Sequence, residues 1–175
     1  MDAAPARSTG EAVAQFDYFL KIDGIEGQST DSKHKGEIDL ESFSWGVTNS
    51  GGGQAGGGGA GAGKVSMQDF HFVMKLNKAS PKLMLACAQG QHIKEAVLTG
   101  RKAGKGQQEF LVYRFRDVLV TSYQTGASAE GPEGPLDQVS FGFAKIEVEY
   151  RSQKPDGSLD APIKAGWDAK KNKKV

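Results

Sequence analysis

The sequence predicts a mainly β protein, a small closed β-barrel or two-sheet sandwich with one short α-helix over about residues 81–89. Three observations predict it. Long stretches alternate apolar and polar residues with period two, as in Phe70, Phe72, Met74 and Leu76 against Asp69, His71 and Lys75. These stretches follow one another at short spacing, separated by polar, glycine-bearing segments, which is the pattern of closed or sandwiched sheets. Only one segment carries helix punctuation, with Ser80 as an expected N-cap, Pro81 at the first helical position and Gly90 as the stop.

Each element follows from its local pattern. Residues 1–16 are small and polar without a period and read as a flexible arm. From Asp17, Tyr18, Leu20 and Ile22 share one strand face, and Gly24 and Gly27 end the strand. Gln28 to Gly36 is a polar loop. Ile38 and Leu40 have one parity and Phe43, Trp45 and Val47 the other, so a bulge or bend is expected near Ser42. Residues 48–64 read as a Gly-rich loop, because glycine gives up the most backbone entropy when ordered. Val65 to Leu76 is the next strand, followed by the helix, in which Leu83 and Cys87 share a face.

Ile93 to Thr99 is a further strand, closed by the basic turn RKAGKGQQ. Glu109 to Tyr123 is apolar on both faces, with Phe110, Val112, Val118 and Val120 on one and Leu111, Tyr113, Phe115 and Leu119 on the other. Two-sided apolarity means that something other than water covers much of the second face. A last strand carries Val139, Phe141 and Phe143, then Ile146, Val148 and Tyr150, with a phase change near Ala144. Residues 17–151 thus form the barrel domain. Residues 152–175 form a polar, Lys-rich tail on or near it, with a charged contact to a neighbour as the alternative to a solvated end.

Composition narrows the function. The 175 residues suit one domain. Twenty-two Lys and Arg against 21 Asp and Glu give a net charge of +1, which argues against a nucleic-acid partner. The single cysteine, Cys87, makes no intrachain disulfide, which fits folding in a reducing compartment. No stretch of about 18 apolar residues exists to span a membrane, and Met1 to Gln15 has no leader-like apolar run, so synthesis in the cytoplasm is expected.

A search for chemistry returns decoys. Gly58 to Lys64, GGAGAGK, matches a phosphate-cradling loop until its eighth position, where Val65 stands instead of Ser or Thr. Asp69 and His71 share a strand face without a further ligand at metal spacing. Cys87 sits among apolar neighbours, which suits core packing rather than nucleophilic attack. No enzyme, cofactor or metal is expected.

The segments DFHFVMKLNKASPKLMLACAQGQHIKEAVLTGRKAG, FLKIDGIEGQSTDSKHKGEIDLESFSWG, FGFAKIEVEY and QKPDGS…GWDAKKN, in this order from about Asp17 to Asn172, resemble the haemolysin-coregulated protein (Hcp) family. These are tube subunits of bacterial type VI secretion. The resemblance implies a phage tail-tube-like barrel in homohexameric rings. The rings stack into a tube inside contractile sheath proteins, with a spike protein at the tip and secreted effectors in the lumen. It also implies release to the extracellular space or a target cell without a cleavable signal peptide.

On this resemblance, loop 48–64 reaches toward the next ring, and Thr48, Asn49, Ser50, Gly51, Gly57, Gly63 and Lys64 are its stacking candidates. Strand parity turns Phe43 inward and Ser42 and Ser44 outward, so these two serines are the lumen and cargo candidates. Two-sided strands need a neighbouring barrel, and Val112, Val118 and Ile146 are the predicted subunit-contact residues. The alternative is a stand-alone, monomeric carbohydrate- or lipid-binding β-barrel module.

Overall fold

Strands form where apolar side chains alternate, and they break where the alternation slips. The computed structural model describes residues 16–50, 65–102, 106–130 and 134–175. In chain order these hold β1 (Phe16–Ile22), β2 (Ile38–Leu40), β3 (Ser42–Ser44), β4 (Val47–Asn49), β5 (Val65–Met67), β6 (Phe70–Lys75) and α1 (Ser80–Gln89). There follow β7 (His92–Lys102), β8 (Glu109–Gly126), β9 (Leu136–Gly142), β10 (Lys145–Tyr150), β11 (Ile163–Asp168) and β12 (Lys173–Lys174).

Ten strands build one antiparallel sheet along the path β12-β11-β10-β8-β7-β1-β2, with a branch from β8 through β9 and β6 to β3. Strand β8 makes the branch possible. Its first part, Leu111–Arg116, pairs with β10, and its later part, Leu119–Gly126, pairs with β9 on the same edge. Strands β9 and β10 are therefore one run, interrupted at Phe143 and Ala144 where the phase change was expected. Opposite that interruption lies Asp117, with φ of +52°, a conformation that non-glycine residues adopt sparingly and Asp more readily than most.

Around Asp117 two outward positions succeed one another. The cross-strand pairs Ala96–Phe115 and Ile93–Val118 are both buried, whereas Glu95 and Arg116 between them face out. This slip corrects the even two-sided reading of β8: Val118 and Val120 join Phe115 in the core instead of opposing it.

The core is aromatic at its centre. Phe70, Phe72, Phe115 and Phe141 are fully buried, and Phe70 lies 4.8 Å from Phe115 and 5.0 Å from Phe141 between ring centroids. Leu20, Ile38, Leu83 and Leu98 pack around them. Hydrogen bonding does not complete the expected barrel closure. Strands β2 and β3 end separate arms of the path, and the chain joins them through Glu41, whose N–H donates to the Val73 carbonyl at 2.8 Å. The parity change near Ser42 is thus the step from pairing with β1 to pairing with β6.

Helix α1 runs close to its expected span, but its cap differs. Ser80 is buried and inside the helix, where its hydroxyl accepts from the Asn77 N–H at 3.0 Å, while Asn77 Oδ1 accepts from the Ala79 N–H at 2.8 Å. The serine serves the preceding turn, and Ala79 occupies the cap position. Gly90 ends the helix at φ of +60°, and its neighbour Gln91 donates to the Ala86 carbonyl. The expected strand over Val65–Leu76 is divided at Gln68 and Asp69, since β5 pairs with β4 in a ladder separate from the main sheet. Beyond residue 152, β11 and β12 extend the sheet from β10.

Replacing Phe70 by Ala removes the ring that contacts Phe43, Phe72, Phe115 and Phe141. The expected loss is about 3–5 kcal/mol, measured by urea unfolding.

Candidate assembly surfaces

Pairing register decides which side chains share a face. Across the branch, Phe43, Phe72, Val139 and Tyr123 align toward the core. The alternate positions make two outward rows: Ser42, Val73, Gln138 and Gln124, then Ser44, His71, Ser140 and Ser122. Of these eight positions none is Asp, Glu, Lys or Arg. The His71 ring Nδ1 and the Ser140 hydroxyl are 3.0 Å apart. At the rim of this face the Thr121 hydroxyl donates to Asp69 at 2.6 Å. Hydroxyls and amides on a twisted strand surface make a polar face without a long-range field.

The outward face of the main path is the opposite in character. Lys21, Val97, Arg114, Glu147 and Gly166 form one cross-strand row, and Glu95, Arg116, Lys145 and Asp168 another. Arg116 bridges Glu95 at 3.2 Å and Glu147 at 3.4 Å, and Lys164 reaches Glu149 at 3.2 Å. The Arg151 guanidinium beside Glu149 holds that carboxyl below its ordinary range, aided by Lys164. Exposed pairs of this kind add little stability, but they fix a mixed-sign surface.

The predicted contact residues separate under this geometry. Val112 is half-buried in the charged face, beside Glu149. Val118 and Ile146 are buried in the protomer's own core, so neither side chain is available to a neighbouring subunit. The Asp117 slip turned Val118 inward, and the break at Phe143–Ala144 did the same for Ile146. Apolar side chains that do reach the surface include Val47, Met84, Leu85, Tyr150 and Ile163. Met84 and Leu85 lie off the Leu83–Ala86 stripe of α1, the one sequence signal that could have found them.

Ser42 and Ser44 are exposed, on the uncharged face. Thr48 and Asn49 are exposed in β4, with Ser50 following. Gly51, Gly57, Gly63 and Lys64 lie outside the described residues, as does the phosphate-loop lookalike, although the strand β5 and not a helix follows it. Cys87 is half-buried against the core.

Sequence reasoning missed the buried polar cluster around Arg101. Arg101, 4% exposed, donates from Nη2 to Asp17 of β1 at 3.0 Å and to Asp31 of the following loop at 2.8 Å. Its guanidinium carbon lies 4.8 Å from the Phe19 ring centroid, and the His34 ring stacks on Phe19 at 4.2 Å. His34 in turn meets Glu37 at 2.9 Å. This clamp fastens loop 26–37 over the outer side of β1, hiding an apolar residue at an outward position. Arg101 holds the Asp31 carboxyl down at about 2, assisted by the Lys33 and His34 N–H groups.

The open, branched antiparallel sheet carries a single capping helix, one mostly uncharged face and one charged face, with no convergent catalytic group among the described residues. The chain belongs to the Hcp family: the model of "Type VI secretion system effector, Hcp" matches residues 19–150. It is 44% identical over 158 residues to protein hcp1 of Pseudomonas aeruginosa, covering 89% of this chain and 96% of that one. Its structure is similar to a type six secretion system protein (TM-score 0.86, 31% identity, 92% and 100% of the two chains). It is also similar to Hcp1 of Salmonella typhimurium (TM-score 0.74, 35% identity, 91% and 99%). Hcp proteins are secreted tube proteins of that system.

The lowered Asp31 pKa makes a signed prediction. Folding binds Asp31 as the anion, so its contribution is complete above the ordinary value of 3.8 and is lost as pH falls toward about 2. Urea midpoints measured from pH 5 to pH 2 should fall through that window, and Asp31→Asn should flatten this part of the profile.

Proposed function

We propose that the chain is a ring-forming tube subunit: six copies close head to tail, rings stack, and the lumen carries effectors. The observation that carries this reading is the division of the protomer into a face whose two central rows carry no charge and a charged face. A channel that admits cargo of either sign needs a wall that neither attracts nor repels it over a distance. The rows containing Ser42 and Ser44 are the face with that character, and in this reading they line the lumen. Contractile sheath proteins outside the tube and a spike protein at its tip are the further partners the family implies. Subunit contacts fall to Val112 and to the apolar side chains that reach the surface, Tyr150 and Ile163 among them.

Ring stacking is assigned to residues 48–64. The β4–β5 ladder that carries Thr48 and Asn49 stands apart from the ten-stranded sheet. The connection can therefore engage a neighbouring ring without disturbing the core.

Three measurements test the proposal. Light scattering and negative-stain images at micromolar concentration should give uniform six-subunit rings; a mass of one subunit overturns it and favours a stand-alone binding module. Deletion of Gly51–Gly63 should leave those rings intact while shortening or abolishing tubes. Ser44→Gln adds bulk without charge to the proposed lumen wall. Rings should form normally while effector co-purification drops several-fold, and unchanged retention would remove Ser44 from the wall.

A further inference from the structure

The two ends of the main sheet path carry opposite charge. At one end lies β2, and the residues in and beside it, Glu37, Asp39 and Glu41, alternate with the buried Ile38 and Leu40. Period-two geometry sets the three carboxylates on one side of the strand in a rail about 13 Å long. Its outer members have partners within the chain. Glu37 holds His34 at 2.9 Å, and Glu41 meets Lys75 at 3.6 Å across an exposed pair. Asp39, in the middle, is exposed and has no ion-pair partner among the described residues.

At the other end lies the β11–β12 hairpin, with Lys170, Lys171, Lys173 and Lys174 around its turn. The turn is built, not trailing. The Lys171 N–H donates to Asp168 Oδ1 at 2.9 Å, and Asn172 takes the left-handed conformation at φ of +49°. Lys170 ties the hairpin to the β8 slip through Asp117 at 2.9 Å. That leaves Lys171, Lys173 and Lys174 exposed and without an ion-pair partner among the described residues. Lysine on an edge strand discourages uncontrolled pairing, yet three unspent cations on a fixed turn also make a patch that suits an acidic partner.

We infer that the Glu37–Asp39–Glu41 rail of one copy docks on the Lys170–Lys174 hairpin of the next. The occupant is a second copy of this chain, and the inference rests on the ring reading above. A head-to-tail contact that closes needs two different and complementary patches on each subunit. Rail and hairpin sit at opposite ends of a seven-strand path and make no ion pair with one another within the protomer. Opposite charge at the two ends favours rail-to-hairpin encounters and penalises rail-to-rail and hairpin-to-hairpin ones, which fixes the direction of addition.

The test is a charge swap on the full chain, read by sedimentation velocity across protein and salt concentration. Wild-type rings should dissociate more readily as salt rises, because such contacts are screened. Lys173→Glu with Lys174→Glu, and separately Asp39→Lys with Glu41→Lys, should each raise the concentration needed for rings by roughly ten-fold or more. All four changes together should restore assembly to within a few-fold of wild type. Circular dichroism checks each variant's fold, and the neutral changes Asp39→Asn and Lys173→Gln replace any pair that does not fold, with a smaller shift in the same direction. Rings that form normally in both pair variants, or four changes that do not restore assembly, overturn this inference and leave the ring reading standing. A wild-type chain that stays a monomer overturns the ring reading itself and this inference with it.

Discussion

At Asp117 the backbone of β8 takes a φ of +52° and the inward–outward alternation loses a step. Much of the architecture depends on that position. Before it, β8 has β10 as its neighbour, and after it β9, so a single 18-residue strand feeds two sheet arms that wrap one aromatic core. The carboxylate makes a second contribution by holding Lys170 at 2.9 Å, which lowers its own pKa and ties the C-terminal hairpin to the branch point. Glycine would take the conformation more cheaply, but it would leave the tail without this anchor.

Most of the fold is legible in the sequence because period two is a strong signal. The alternation of Phe70, Phe72 and Met74, and of Tyr18, Leu20 and Ile22, identifies β6 and β1 and their buried faces directly. Parity changes near Ser42 and Ala144 correspond to real changes of pairing partner. What stayed hidden has one physical origin: a slip inside a strand leaves composition untouched. Nothing in RFRDVLV tells a reader that Asp117 is left-handed, so Val118 reads as outward when it is buried. The tail illustrates a second limit. KAGWDAKKNKKV looks solvated because its partner, β10, lies more than ten residues away and supplies the apolar contacts. The Arg101 clamp needed contacts across 84 and 70 residues, beyond any local pattern.

The surfaces follow from the same alternation. Each strand that packs aromatics inward must show its other residues outward, so face chemistry is set strand by strand. The branch strands β3, β6, β9 and the end of β8 show mainly serine, glutamine and histidine, with Lys75 and Asp69 at the margins, while the path strands show lysine, arginine and glutamate. Because the two sets share one core, neither can change its inward residues without straining the other. The outward sets are independent, which lets the two surfaces differ in chemistry on one small scaffold.

The β4–β5 ladder pairs with no strand of the main sheet: at its base the Gln68 N–H donates to the Gly46 carbonyl at 2.8 Å, joining its two legs, and Met67 packs against the core. The ladder thus keeps a register of its own, apart from that of the main sheet. Closing a longer connection costs little, about 0.6 kcal/mol for each doubling of its length. In the proposed stacking role, the reach of this connection is therefore an adjustable dimension, one that insertions and deletions can change while the body of the protein stays as it is.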